Sequence, residues 1–136
     1  MMKNLLVVTC SVTIVAAVGL MPIPVQAQTP PASVGDPIAG GRTFGQCRVC
    51  HTTVVNGADG VGPNLFGIYN SRAGTRQKHF AYSSPLKNSK LVWNDATLDR
   101  WLTNPATTVP GTKMTFIGLP RKPMRDNVIA YLKTLK

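Results

Sequence analysis

Cys47-Arg48-Val49-Cys50-His51 decides the reading of this chain. The spacing C-x-x-C-H is that of a c-type haem attachment site. On one helical turn, residues three apart lie on the same face. Cys47 and Cys50 can therefore both add their sulfurs to the two vinyl groups along one edge of a haem. His51 follows directly and can offer a ring nitrogen to the iron. Other uses of such a run fit less well. A thioredoxin-like redox pair needs a βαβ context, which the sequence lacks. A zinc site needs further ligands, and no second cysteine pair follows.

An iron held by His51 on one side takes its chemistry from the other side. An open position permits gas binding or catalysis, and a filled one favours electron transfer. The candidate ligands are Met114, Met124 and His79. Met124 falls in the first turn of an expected helix, where packing is its ordinary role. His79 stands among Arg76, Lys78 and Phe80 and reads as a surface residue. Met114 lies in a stretch stiffened by Pro110 and Gly111, with no helical periodicity to explain it. Methionines also serve as plain core filler, so residue chemistry alone leaves the choice open.

The chain has 136 residues, enough for one small domain. It opens like a secretory signal peptide. Lys3 is the only charge before Asp36, and residues 5–21 form an uncharged, largely apolar run. Pro22 and Pro24 break that run, and Val25-Gln26-Ala27 offers small residues for cleavage after Ala27. The competing reading is a retained membrane anchor, for which 17 residues is the lower limit of a spanning helix. Cys10 lies in the middle of the run and is incidental to it. Cleavage leaves Cys47 and Cys50 as the mature cysteines. Their adjacency to His51 assigns them to thioethers rather than to a disulfide.

Without Lys3, 14 Lys and Arg face five Asp and no Glu, a net charge of +9. Two ionised haem propionates lower this to about +7. Such a surplus suits an anionic partner: an acidic protein, a membrane surface or nucleic acid. Export with a cofactor argues against nucleic acid. The charge also keeps a protein soluble, so it does not identify a partner by itself.

After a Pro-rich leader, 28–35, Asp36-Pro37 supplies a helix cap and a first-turn proline. A helix is expected from Pro37 to about Gln46, with Gly40 and Gly41 marking a close helix crossing and Phe44 in the core. The glycine-rich stretch 52–74 reads as loop. Such a loop is long for a compact domain, unless it wraps a cofactor. Within it, the Pro63 carbonyl can accept from the second ring nitrogen of His51, or Pro63 can serve only as a turn residue. Residues 79–83 alternate and suggest a short extended piece. Ser84-Pro85 suggests a cap and a short helix to Ser89. Asn94 caps a helix to Asn104 with Leu98, Trp101 and Leu102 on its apolar face. A last helix runs from near Pro123 to about Leu135, with Val128, Ile129, Leu132 and Leu135 on one face and Asp126 in its first turn. Three helices of this length bury little alone, so the fold should depend on the cofactor.

Taken together, Gly40, Phe44, the Cys47–His51 motif, Gly62-Pro63-Asn64-Leu65, Phe80-Ala81-Tyr82, Trp93, Asn104-Pro105, Pro110-Gly111-Thr112-Lys113-Met114 and Ala130-Tyr131-Leu132-Lys133 resemble class I cytochrome c. The likeness is to the mitochondrial type and its alphaproteobacterial relatives, and it covers nearly all of 36–136. It implies an all-α fold: three main helices, short helices and loops wrapped around one covalent haem c. It implies Met114 as the sixth ligand beside His51, and Pro63 as the acceptor that orients His51. It implies that Tyr82, Trp93 and Thr112 bind haem propionates, that Asn64 braces its loop and that Phe116 covers the haem edge. Arg72 matches a propionate-binding arginine, across a loop one residue longer than the mitochondrial form. Trp101 stands in place of a tyrosine near the methionine sulfur, and Leu86 in place of a polar residue.

The function so implied is a soluble, monomeric periplasmic electron shuttle, and not an enzyme. A cytochrome bc complex would be the donor, and a terminal oxidase, reaction centre or reductase the acceptor. Lys87, Lys90, Lys113, Lys122 and Arg48 are candidates for a positive ring that meets acidic docking surfaces on these membrane complexes. The alternatives are a membrane-anchored subunit of a respiratory complex, and a haem peroxidase or gas-binding protein with a labile sixth ligand.

Overall fold

A computed structural model describes residues 34–136. The expected signal peptide, its cleavage site and most of the leader lie outside the described residues. Five α-helices follow in order: α1 (Pro37–Thr43), α2 (Ser84–Asn88), α3 (Asp95–Thr103), α4 (Pro105–Thr108) and α5 (Lys122–Thr134). A 3₁₀ turn, Phe44–Gln46, extends α1. The described residues form no strand, only an isolated antiparallel bridge between Arg72 and Val92.

The frame is the crossing of α1 on α5. Asp36 caps α1 by accepting from the Ile38 N–H at 2.8 Å, and its own N–H donates to the Asn127 side chain at 2.8 Å. A Cβ on Gly40 would lie 1.9 Å from the Asn127 carbonyl oxygen and 2.8 Å from the Tyr131 Cβ. Only a residue without a side chain lets the two backbones meet there. Gly41 is merely alongside, with its nearest neighbour, Tyr131, 3.4 Å from an added Cβ. One turn later Phe44, 1% exposed, packs its ring 5.1 Å from that of Tyr131.

Helix α3 is closed by a capping box in which Asn94 and Thr97 exchange side-chain and backbone bonds. It buries Leu98, Trp101 and Leu102. Arg125 of α5 is buried against it, with Nε donating to Asp99 at 2.7 Å and Nη1 to the carbonyls of Leu119 and Pro120. Val128, Ile129 and Leu132 complete the apolar face of α5.

Three local expectations change, and one residue gains a second role. Helix α5 begins at Lys122, which moves Asp126 beyond the first turn; there it pairs with Lys122 at 2.6 Å. Ser83, not Ser84, caps α2, because Ser83 has the extended backbone from which its hydroxyl can receive the Leu86 N–H. Residues 79–83 do not extend, because the Tyr82 N–H turns back to the Phe80 carbonyl at 2.9 Å. Asn104 ends α3 as expected but also caps α4, its side chain accepting from Thr107. The Asn104-Pro105 pair repeats the cap-proline signal of Asp36-Pro37.

Candidate functional site

The helical turn that leaves α1 carries the motif. The Cys47 N–H donates to the Phe44 carbonyl, and the His51 N–H donates to the Cys47 carbonyl at 2.9 Å. Cys47, Cys50 and His51 thereby line one cavity of about 330 Å³. Its walls are largely apolar and include Phe44, Leu65, Leu86, Leu98, Val128 and Leu132.

Burial pushes the Cys47 thiol up to about 11, with the neighbouring Cys50 adding to the effect. The thiol is therefore protonated at neutral pH. Burial also lowers the His51 pKa, opposed by its bond to Pro63. The His51 Nδ1–H donates to the Pro63 carbonyl at 2.7 Å. With the proton on Nδ1, Nε2 keeps a lone pair for a metal. Gly62 allows this arrangement, because a Cβ there would lie 2.3 Å from the imidazole Cε1. Pro63 thus has the acceptor geometry and not only a turn.

The loop behind the histidine is organised by Asn64, which is 1% exposed. Its amide donates to the carbonyls of Val54 and Gly57 at 2.9 and 2.7 Å. Its carbonyl oxygen accepts from the Phe66 N–H, and its backbone N–H donates to Asp59. Gln77 adds a link that nothing in the sequence announced: its side chain donates to the Asn64 backbone carbonyl at 3.4 Å, and its N–H donates to the Tyr82 hydroxyl at 3.2 Å.

The three sulfur and imidazole candidates part company in space. Met114 lines the cavity. Its loop turns at Gly111, whose φ is +82°, and the Met114 N–H donates to Thr112 Oγ1 at 3.3 Å. Met124 lies outside the lining, its sulfur accepting from Arg121 Nε at 3.3 Å. His79 is exposed and also outside.

Tyr82, Trp93 and Thr112 line the same cavity. The Tyr82 and Thr112 oxygens act as acceptors in the bonds above, so each hydroxyl proton remains available for a ligand. Burial raises the Tyr82 pKa and keeps the phenol protonated. Trp93 packs edge-on against Trp101, ring centroids 5.2 Å apart, and both indoles line the cavity. Among the described residues no hydrogen bond engages either indole N–H. Phe116 is half-buried on the rim. Arg72 is the one expected site residue that does not come to the cavity. Its neighbour Ala73 is fully buried, and along the short paired stretch the adjacent Arg72 side chain is left exposed.

The donor set fits a haem. Two thiols, an imidazole with a free Nε2, a thioether and free hydroxyl protons all border a single apolar cavity. No cluster of three His, Cys, Asp or Glu suited to a bare metal ion occurs among the described residues.

No family model matches the chain. Curated relatives do. Cytochrome c2 of Rhodoblastus acidophilus is 48% identical over 102 residues, 75% of this chain and 94% of the relative. Cytochrome c2 of Rhodomicrobium vannielii is 46% identical over 102 residues, 75% of this chain and 81% of the relative. Among solved structures, cytochrome cH from Methylobacterium extorquens superposes with a TM-score of 0.70 at 43% identity, covering 74% of this chain and 99% of its own. With its motif, cavity and helical frame, the chain belongs to the class I cytochromes c of alphaproteobacterial type: electron-transfer proteins, not enzymes, that carry one haem c bound covalently through the two motif cysteines, here Cys47 and Cys50.

Proposed function

We propose that this electron carrier is a diffusible periplasmic shuttle in which His51 and Met114 would hold the haem iron. The observation that carries the ligand assignment is that Met114, alone among Met114, Met124 and His79, shares a cavity with His51. When bound, the haem supplies an iron that takes up and releases one electron between its ferric and ferrous states. The rest is done by the chain. Cys47 and Cys50 would hold the ring through two thioethers. Pro63 holds the His51 proton on Nδ1, which orients the imidazole and strengthens Nε2 as a donor. The Gly111 turn and Thr112 hold the Met114 loop, so the thioether keeps its place in both oxidation states. Tyr82, Trp93 and Thr112 would donate to the propionates. The apolar walls exclude water, which keeps reorganisation small.

Export rests on the signal-like sequence of residues 1–27, cleaved after Ala27. The mature chain acts as a monomer. Its excess of positive charge suits acidic docking surfaces on a cytochrome bc complex as donor and on a terminal oxidase, reaction centre or reductase as acceptor.

Visible spectra of the purified protein, oxidised and reduced, with and without carbon monoxide, test the reading. A weak sulfur-to-iron band at the red end of the oxidised spectrum, with no response to carbon monoxide, is expected. A high-spin spectrum that binds carbon monoxide would overturn the Met114 assignment and with it the shuttle.

A further inference from the structure

Val54-Val55-Asn56-Gly57 forms a tight turn on the loop behind His51. The Gly57 N–H donates to the Val54 carbonyl at 3.0 Å, and Asn56, the third residue of the turn, has φ +55°. Such a turn needs a residue that tolerates positive φ at that place, and asparagine does so best after glycine. Position 57 is constrained as well. A Cβ on Gly57 would lie 2.5 Å from Val54 Cγ2 and 2.9 Å from Asn64 Nδ2. Shape alone therefore dictates an Asn-Gly pair here.

That pair carries a reactivity that shape did not require. Asn56 is exposed. Its side-chain amide carbon is an electrophile, and the backbone nitrogen of the next residue can close a five-membered ring on it. Glycine, with no side chain, leaves that nitrogen unhindered. In the reaction the Gly57 nitrogen gives up its proton and bonds to Asn56 Cγ. The Cγ–Nδ2 bond breaks, and ammonia leaves with the proton. Water then opens the cyclic imide. Attack at Cγ gives aspartate, and attack at the main-chain carbonyl carbon gives isoaspartate, whose backbone runs through the side-chain methylene. The balance is one amide and one water to one carboxylate and one ammonium ion, with no change of oxidation state.

The fold opposes the first step. The N–H that must be lost is held on the Val54 carbonyl, so the nitrogen faces away from its target. Asn64, 1% exposed, grips both ends of the turn, its Nδ2 donating to the carbonyls of Val54 and Gly57 at 2.9 and 2.7 Å. Asn70-Ser71 offers a comparison within the molecule. Asn70 is exposed with φ +62°, and the Ser71 N–H donates to the Ile68 carbonyl at 3.0 Å. There the attacking residue bears a side chain, and among the described residues no side-chain amide grips the turn.

We propose that Asn56 is a modification site, converting spontaneously to aspartate and isoaspartate, and that Asn64 is the residue that holds it back. An unfolded chain lacks the grip and is the form at risk. Isoaspartate lengthens the backbone inside the turn, so a converted loop does not recover its bonds to Asn64, the neighbour of the Pro63 that orients His51.

The test incubates the haem-loaded protein at mildly alkaline pH and follows Asn56, Asn70 and Asn88 in one digest by chromatography and mass spectrometry. In wild type unfolded in guanidinium, Asn56 should convert ahead of the other two. In folded wild type it should be slowed. Asn64→Ser should release it by about tenfold or more, the size expected from losing two hydrogen bonds to a buried amide, and should leave Asn70 unchanged. No lead of Asn56 in the unfolded chain, no release by Asn64→Ser, or an equal release at Asn70 would overturn the proposal. Exchange of the Gly57 N–H in ferrous wild type, read by nuclear magnetic resonance, needs no variant to fold. It should be slowed by about tenfold or more relative to the unfolded chain, and free exchange would overturn the guarding role of Asn64.

Discussion

Replacing Gly40 by alanine puts a methyl group into the α1–α5 crossing. The added carbon would stand 1.9 Å from the Asn127 carbonyl oxygen, and ordinary contact begins near 3.4 Å, so the helices must separate by up to 1.5 Å. A gap of 0.5–1 Å already forfeits a quarter to a half of the dispersion energy of a contact. Phe44 against Tyr131 and the bond from the Asp36 N–H to Asn127 lie on the same seam and are lost or stretched together. Overpacking of this severity costs about 3 kcal/mol or more, against about 1 kcal/mol regained because alanine favours the helix. The net loss of about 2–4 kcal/mol corresponds to a fall in Tm of roughly 10–20 °C for a domain of this size. Gly41→Ala is the matched control, since its Cβ would meet nothing closer than 3.4 Å. It should be neutral or raise the Tm by a few degrees. Thermal unfolding of the ferric holoproteins, followed by far-ultraviolet circular dichroism, reads both. Equal stability of the two variants, or a greater loss at Gly41, would refute the reasoning.

Three further outcomes follow from the geometry. Arg125→Met should lower stability by about 2–4 kcal/mol in guanidinium unfolding, because two backbone carbonyls and Asp99 lose a buried donor. Met114→Ala should yield a protein that binds carbon monoxide in the reduced state, and an unchanged spectrum would remove Met114 from the iron. The Lys133 contact holds the Asp95 carboxyl below its ordinary value, so the folded chain binds fewer protons there than the unfolded one. That small contribution is present above the unfolded carboxyl range near pH 4 and is lost as pH falls through the depressed folded value. The urea midpoints of wild type and Lys133→Gln should therefore differ at pH 7 and converge near pH 2; a gap that widens in acid would contradict this.

The covalent anchor was legible because C-x-x-C-H compresses its chemistry into five adjacent residues. The helices were legible where a cap coincides with a proline, as at Asp36-Pro37, or with an apolar stripe, as at Asn94. Asp126 was misplaced because proline is tolerated anywhere in a first turn, so Pro123 does not fix where α5 starts. Arg72 could not be read from spacing, since whether its side chain meets the cavity depends on the pairing with Val92 twenty residues away. The same holds for Gln77, whose two bonds join residues of separate turns. The choice among Met114, Met124 and His79 is likewise a question of which segments fold onto one cavity, and local composition does not encode it.

The chain's two tryptophans, Trp93 and Trp101, sit together on the cavity wall. This gives the protein a built-in optical reporter. A porphyrin seated in that cavity would border both emitters and drain their fluorescence, so the mature protein should be nearly dark under ultraviolet excitation. Any event that draws the wall away from the ring brightens it. Maturation, loosening of the Met114 loop and global unfolding can each be timed by emission alone, without an added label.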